Sequence, residues 1–582
     1  MPQDELVLTR LEGSEGLSEL FEFRIDALSE KSNIDFNSAI GVNCAVSISS
    51  YGKTRDINGM LVATQWTGMQ HNLYSYRLVL RPWLWMLSRS GGCRMFKDKT
   101  VPQIIKEVFD GHGAIAKFSS KLEDSDHPKR KYCVQYRESD LNFVCRLMEE
   151  EGIYYYFKHS AEKHELFMTD SRAGHENKLN GEALPYRPVT GRQRRKEEQV
   201  FNWFTERTFN TGKIVLKDYD FKEPGNQLLS EKVHGGGYKN AEMEMFDYPG
   251  RYKEGKLGDT LAKVRLEAEQ GADKHCQATG DAINLVPGYM CKLAEHPEAS
   301  LNSRYLILRA THTFVSDAYS STAQLDAEEV YTGHYEFLPA DIPYRAPLIT
   351  PRPVVHGPQT AVVVGEGDID VDVDGCIMVK FHWDREGKDS RRVRVAQVWS
   401  GNKWGGIYIP RVGQEVIVQF VEGDPDRPMV IGTVYNEDNK TPYPLPKEKT
   451  ISGVKSRSSP SGGYNEFVFD DKAGSELVRL HAEKDMGAVI EHDEKREVKN
   501  DQHIDIGNDQ KIDVGNTLKI TAGTLIELVV GESKITMDGG SITISSPTIT
   551  VKAGMKLDAT SPMTTVKGTA TLTLQGGMVL IN

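Results

Sequence analysis

The run Val498-Lys-Asn-Asp-Gln-His-Ile-Asp-Ile-Gly507, Asn508-Asp-Gln-Lys-Ile-Asp-Val-Gly515, Asn516-Thr-Leu-Lys-Ile-Thr-Ala-Gly523, Thr524-Leu-Ile-Glu-Leu-Val-Val-Gly531, Glu532-Ser-Lys-Ile-Thr-Met-Asp-Gly539 places a glycine at every eighth residue. Just before the glycines stand Ile506, Val514, Ala522, Val530 and Asp538. Two residues earlier come Ile504, Ile512, Ile520 and Leu528, and the series begins one octad upstream at Val498. All of these share one parity, and alternate residues of a strand project to one face. In the first two full octads the opposite face carries Asp501, His503, Asp505, Asp509, Lys511 and Asp513. One side is dry and the other wet. Each octad therefore reads as a short strand ending at Gly507, Gly515, Gly523, Gly531 or Gly539, where a residue without Cβ eases a kink. This true internal repeat describes a stacked, solenoid-like β structure.

A single ribbon of this kind has one apolar face and too few large side chains to enclose a core. Winding identical ribbons together buries Val498, Ile504, Ile506, Ile512, Val514, Ile520, Ala522, Leu528 and Val530 against their counterparts, and it pairs otherwise open strand edges. The period does not set the number of chains. In-phase apolar residues argue against a disordered tail, and a lone solenoid needs longer coils with more faces.

Working outward, the stretch from 376 to 434 alternates strongly in Cys376-Ile-Met-Val-Lys-Phe-His-Trp383, Arg392-Val-Arg-Val-Ala-Gln-Val-Trp399, Val416-Ile-Val-Gln-Phe-Val421 and Met429-Val-Ile-Gly-Thr-Val434. Short strands joined by Gly, Asp and Pro turns predict a small closed barrel of the OB type. Ahead of it, Pro339, Pro343, Pro347, Pro351, Pro353 and Pro358 stiffen a joint that reads as a domain boundary. The first 350 residues are mixed α/β with an excess of strands. Amphipathic helices are predicted over Val101 to Phe109, with Pro102 in the first turn, and over Ser139 to Glu151, which opens on Ser-Asp capping chemistry.

With 582 residues the chain holds several domains. A formal net charge of -12 with 26% charged residues fits an acidic soluble protein and argues against nucleic-acid binding. Met1 to Leu20 contains no continuous apolar run, so synthesis in the cytoplasm without a signal peptide is expected. The cysteines Cys44, Cys93, Cys133, Cys145, Cys276, Cys291 and Cys376 are odd in number and form no CxxC pair, which predicts reduced thiols. Cys276 and Cys291 with His275 and His296 match no usual zinc spacing, so no metal is expected.

An enzymatic site is not legible. The chain has no GxSxG elbow, no P-loop and no HExxH helix. Glu422, Asp424 and Asp426 could mimic paired glycosidase carboxylates, but Pro425 and Pro428 mark a turn. His382-Trp383-Asp384 lacks a serine partner and reads as structural. The 55 residues from Asn436 to Ile490 fall short of the roughly 100–150 of an inserted catalytic domain. No further domain is expected after the strand-like Met578-Val-Leu-Ile581.

Several motifs stand in a familiar order: Lys380-Phe-His-Trp-Asp-Arg-Glu-Gly387, Val393-Arg-Val-Ala-Gln-Val-Trp-Ser-Gly401, Ile409-Pro-Arg-Val-Gly-Gln-Glu-Val416, Glu422-Gly-Asp-Pro-Asp-Arg-Pro428, Val434-Tyr-Asn436 and Ser456-Arg-Ser-Ser459. With Leu80-Arg-Pro-Trp83, Phe96, Cys133-Val-Gln-Tyr-Arg-Glu138 and Arg146-Leu-Met-Glu-Glu-Glu-Gly-Ile-Tyr-Tyr155 upstream, the chain resembles the VgrG family of type VI secretion spike proteins along essentially its whole length. It departs from that pattern at Gly375-Cys376 and at Arg391-Arg392, where local barrel packing comes into question.

The resemblance implies a mainly β fold with some α. A phage-tail-hub-like domain would occupy 1–350, an OB-fold barrel 351–445, a connector 446–490 and an intertwined trimeric β-helix needle 491–582. It further implies a homotrimer, an Hcp tube ring beneath the hub, baseplate components, and a PAAR-repeat protein seated at Met578, Val579, Leu580, Ile581 and Asn582. Effector toxins and their adaptors would ride on these parts, with no cofactor and no catalytic domain, and the assembly would be secreted and pass transiently through a target membrane. The runner-up is the tail spike of a contractile phage or phage-derived particle. A spike-borne cell-wall hydrolase is the alternative from another class.

Overall fold

The computed structural model describes residues 6–70, 72–123, 127–177, 183–188, 197–316, 330–385, 391–460 and 462–581. They fall into two compact units, Met1–Asp485 and Met486–Asn582.

A sheet of twelve strands organises the first unit. From one edge to the other, its main path runs Val200–Arg207, Lys274–Gly280, Val330–Pro339, Arg304–Val315, Val7–Gly16, Glu22–Ser29, Leu73–Arg81, Lys53–Gln70 and Asn43–Ser50. Leu11 sits opposite Ile25 on one neighbour and Phe314 on the other, so antiparallel register stacks apolar residues across strands. One core gathers Phe21, Phe23, Leu80, Trp83 and the buried faces of two helices. A second gathers Tyr156, Trp203, Tyr335 and Phe337.

Of the two expected helices, the first, Val101–Asp110, buries Ile104, Ile105, Val108 and Phe109 and starts on a capping box between Thr100 and Gln103. The second, Asp140–Glu150, is capped by Ser139, whose side chain accepts the Asn142 N–H. Each fully buried Ile or Phe on them stabilises the fold by about 1.5–3 kcal/mol. Reading the sequence missed two further helices, the single turn Trp83–Met86 and the longer Gly255–Gln270. Two glycines at the start of the longer one and the small buried residues Gly258 and Ala262 blur its apolar stripe, yet Ala262 and Leu266 close a core with Ile214, Leu216 and Tyr252.

The barrel is closed by five strands, Gln359–Val364, Ile377–Phe381, Arg391–Val395, Pro428–Val434 and Glu415–Phe420. Ala361, Val363, Ile377, Val379, Phe381, Val393, Val416, Val418, Phe420 and Val430 fill it, and the same core includes Met95 and Val134 from the antiparallel pair Gly91–Lys99 and Arg130–Ser139. Barrel and hub thus belong to one unit. The expected strand through Trp399 ends at Val395, beyond which the chain leaves the barrel. After the barrel, Ile451–Lys455, Glu466–Asp470 and Leu477–His481 form an antiparallel meander.

In the second unit the first three octads, up to Gly523, form no ladder within one chain, whereas the last two pair with each other. From 482 to 525 no strand pairing occurs, and Ile526–Val530, Ser533–Met537 and Ile542–Ser545 form a small antiparallel meander. Gly531, with φ +55°, stands in its two-residue turn, and Gly539 lies in the turn that Asp538 holds by accepting the N–H groups of Gly540 and Ser541. A ladder requires a neighbouring strand, and upstream of 526 the ribbon supplies none of its own.

Candidate functional site

The even-numbered octad face is laid open. Val498, Ile504, Ile506, Ile512, Val514, Ile520, Leu528 and Val530 are all exposed, as is Ala522, and no described residue of 486–581 is buried. On the odd-numbered face Lys511 pairs with Asp513 at 2.7 Å and His503 with Asp505 at 3.1 Å. A Cβ added at Gly507, Gly515, Gly523 or Gly539 would meet nothing within 4 Å, so no neighbour in the same chain dictates those glycines. Met578, Val579, Leu580 and Ile581 are exposed, while Asn582 lies outside the described residues.

A second uncovered face, absent from the sequence reading, lies on the meander Ile451–His481. Cross-strand pairing sets Phe467 opposite Val454 and Leu480, and Phe469 opposite Val478, so these five share one side. All five are exposed, whereas Val468 on the other side is buried. Beside it Glu466 accepts from Arg479. A regular strand alternation across 451–481 was the available signal.

The barrel's acidic turn enters the hub. Asp426 accepts the Val134 N–H at 2.8 Å, Asp424 faces Arg251 at 3.2 Å, and Arg427 reaches Asp218 at 2.6 Å. Burial, followed by the repulsion of Asp424, raises Asp426 to about 6. Behind this turn Arg146 grips Glu138, Arg130 holds Glu150 and Glu151, and Glu149 accepts the N–H groups of Ile349 and Thr350 in the proline-rich joint. Of the acidic run, Asp424 and Asp426 therefore form a clasp between barrel and hub, while Glu422 is exposed. Arg391 places its guanidinium 4.2 Å over the Tyr132 ring and donates to the Asp426 carbonyl. Its Nε and Nη1 are buried without a hydrogen-bond partner among the described residues.

The remaining candidates stand apart. His382 bonds Thr360 at 3.1 Å, and Trp383 donates its indole N–H to Gln359. His275 bonds the Gly271 carbonyl and His296 accepts the Glu298 N–H. Burial pushes the Cys276 thiol up to about 11 and the Cys291 thiol up to about 12. Among the described residues no His, Cys, Asp and Glu side chains gather as a metal site.

Three family descriptions match in chain order: the phage tail baseplate hub over residues 14–318, the type VI secretion system/phage-baseplate injector OB domain over 359–435, and the bacteriophage T4 gp5 C-terminal trimerisation domain over 452–560. The Pseudomonas aeruginosa spike protein VgrG1b is 37% identical over 504 residues, covering 84% of this chain and 67% of its own length. VgrG1a of the same organism is 36% identical, covering 84% and 77%. The chain belongs to the VgrG family of type VI secretion spike proteins. The fold recurs in a solved structure. An Escherichia coli type VI secretion component described as similar to the T4 tail proteins gp27 and gp5 superimposes with a TM-score of 0.54 at 22% identity, covering 74% of this chain and 98% of that one. The mainly β architecture of hub, barrel and trimerisation domain is that of the family, and this VgrG is built to form a homotrimer. A Vibrio cholerae VgrG1 named as an actin cross-linking toxin is 32% identical, and this chain spans 46% of it.

Proposed function

We propose that three copies of this VgrG form a mechanical, membrane-puncturing spike that delivers effectors and has no catalytic step of its own. The observation that carries this reading is the in-phase apolar face from Val498 to Val530, exposed in one chain that also matches a trimerisation domain. In the trimer these residues turn to a common axis, Gly507, Gly515, Gly523, Gly531 and Gly539 ease the winding, and backbone pairing between chains stiffens the needle. The division into hub 1–350, barrel 351–445, connector 446–490 and needle 491–582 assigns one mechanical task to each part. An Hcp ring and baseplate components meet the hub, a PAAR-repeat protein seats on Met578 to Asn582, and toxins ride with their adaptors. The spike is made in the cytoplasm and secreted by the contracting system.

Engagement of Asp424 and Asp426 in the hub clasp supports the non-enzymatic reading. The test is deletion of Thr571 to Asn582. Light scattering should still give a trimer while killing of neighbouring cells is lost. A trimer that kills normally would show that the tip seats nothing, and a 65 kDa particle from the intact chain would remove the trimer itself.

A further inference from the structure

Beyond Val395 the chain leaves the barrel as a tight protrusion. Ser400–Gly401 pairs with Trp404–Gly405, and Gly406 N–H donates to the Trp399 carbonyl at 2.9 Å. The Gln397 side chain closes the base: its Oε1 accepts the Tyr408 N–H at 2.8 Å and its Nε2 donates to the Tyr408 carbonyl at 3.2 Å. Gly405 is required here, because its φ is +131° and a Cβ would sit 2.4 Å from the Trp399 carbonyl oxygen. The Trp399 and Trp404 rings meet edge to face at 5.0 Å. On this frame Val398, Trp399, Trp404, Ile407 and Tyr408 all face solvent, Val398 85% and Ile407 75% exposed.

Rigidly held aromatic residues in one exposed apolar patch are the usual anchors of an interface, since little side-chain freedom is lost on docking. Continuity identifies the occupant. Just past the protrusion, Arg411 Nη2 donates to the Arg457 carbonyl at 2.7 Å, and Arg457 lies inside the segment matched to the trimerisation domain. That segment also carries the second uncovered patch, Val454, Phe467, Phe469, Val478 and Leu480. Both patches are open in a single chain. Two different patches that meet head to tail make the heterologous contact that closes a ring of copies.

We infer that the protrusion Val398–Tyr408 docks on the apolar meander face of the neighbouring copy, forming a barrel-level contact separate from the needle. This rests on the trimer reading, so one sample must report both. Hydroxyl-radical footprinting of the full chain, with mass taken by light scattering on the same preparation, reads Trp399, Trp404 and Tyr408 against a free peptide spanning the protrusion. The expected result is a trimer whose three side chains oxidise about tenfold more slowly than in the peptide, as for groups sealed in an interface core. A trimer with peptide-like oxidation overturns the docking and leaves the trimer standing; a monomer overturns both. Protection that arises only when an effector or adaptor is added also overturns it.

Geometry is read by a short bismaleimide on the doubly substituted chain, Trp404→Cys with Leu480→Cys, compared with the unsubstituted chain. New covalent dimers and trimers on a denaturing gel, absent from each single variant, support the head-to-tail contact. Cross-linking of the Trp404→Cys single variant to itself would mean that protrusions meet each other instead.

Discussion

Residues 6–485 and 486–581 handle their apolar side chains in opposite ways. In the first unit Phe21, Phe23, Trp83, Tyr156 and Phe337 are enclosed by the chain's own sheets and helices. In the second not one described residue is buried, although apolar side chains recur in register through Val530. The lesson concerns what counts as a folding unit. One chain closes the hub and barrel cores, though it leaves patches such as Val398–Tyr408 open, whereas 486–581 closes no core, and on the trimer reading its missing surface lies on other copies. Its stability therefore depends on assembly, and hence on concentration, in a way that the hub's does not.

The largest expected effect falls on the needle. Val514→Asp sets three carboxylates near a common axis without counter-ions, at a cost on the order of 5 kcal/mol or more per trimer. Trimer content should collapse while the hub's own unfolding transition persists; an intact trimer would break the comparison. Next comes Arg146→Ala in the hub. Arg146 is almost fully buried, donates to both Glu138 oxygens and to the Val134 carbonyl, and its loss strands carboxylates at about 3–5 kcal/mol. Chemical denaturation should show the hub weakened with the needle still trimeric.

A smaller, pH-dependent effect belongs to His127, held between Glu151 at 2.8 Å and Asp170 at 3.2 Å. Burial opposes its charge, but the two carboxylates outweigh it and raise the imidazole to about 9. Because this folded value lies above the unfolded one of about 6.5, the stabilisation is complete below that pH and disappears as pH rises through 9. The Tm gap between the natural chain and His127→Gln should therefore close on going from mildly acidic to alkaline buffer. A gap independent of pH would deny the histidine its charge. His312 works in the opposite sense. Burial, aided by Arg55, lowers it to about 4, so its contribution is lost as pH falls from about 6.5 toward 4. Least of all, Asp513→Val should change stability by about 0.5 kcal/mol or less, as surface substitutions do. If thermal melts of this variant matched those of Val514→Asp, the assignment of faces would be wrong.

By itself the sequence determined whatever depends on local periodicity and turn chemistry. The octad parity, the alternation of Ile377, Val379 and Phe381, and the helix starts at Pro102 and Ser139 are written within a few residues of one another. Family motifs could be read for the same reason, although their role could not: Pro425 and Pro428 mark a turn at Asp424 and Asp426, and only the fold carries those carboxylates against Val134 and Arg251. The tertiary structure also decided that the strand expected through Trp399 stops at Val395, that the connector has an apolar face, and that Gly255–Gln270 is a helix. Alternation along one strand records that a face will be covered. Which partner covers it is a long-range matter, set by the packing of residues distant in sequence or carried on another copy.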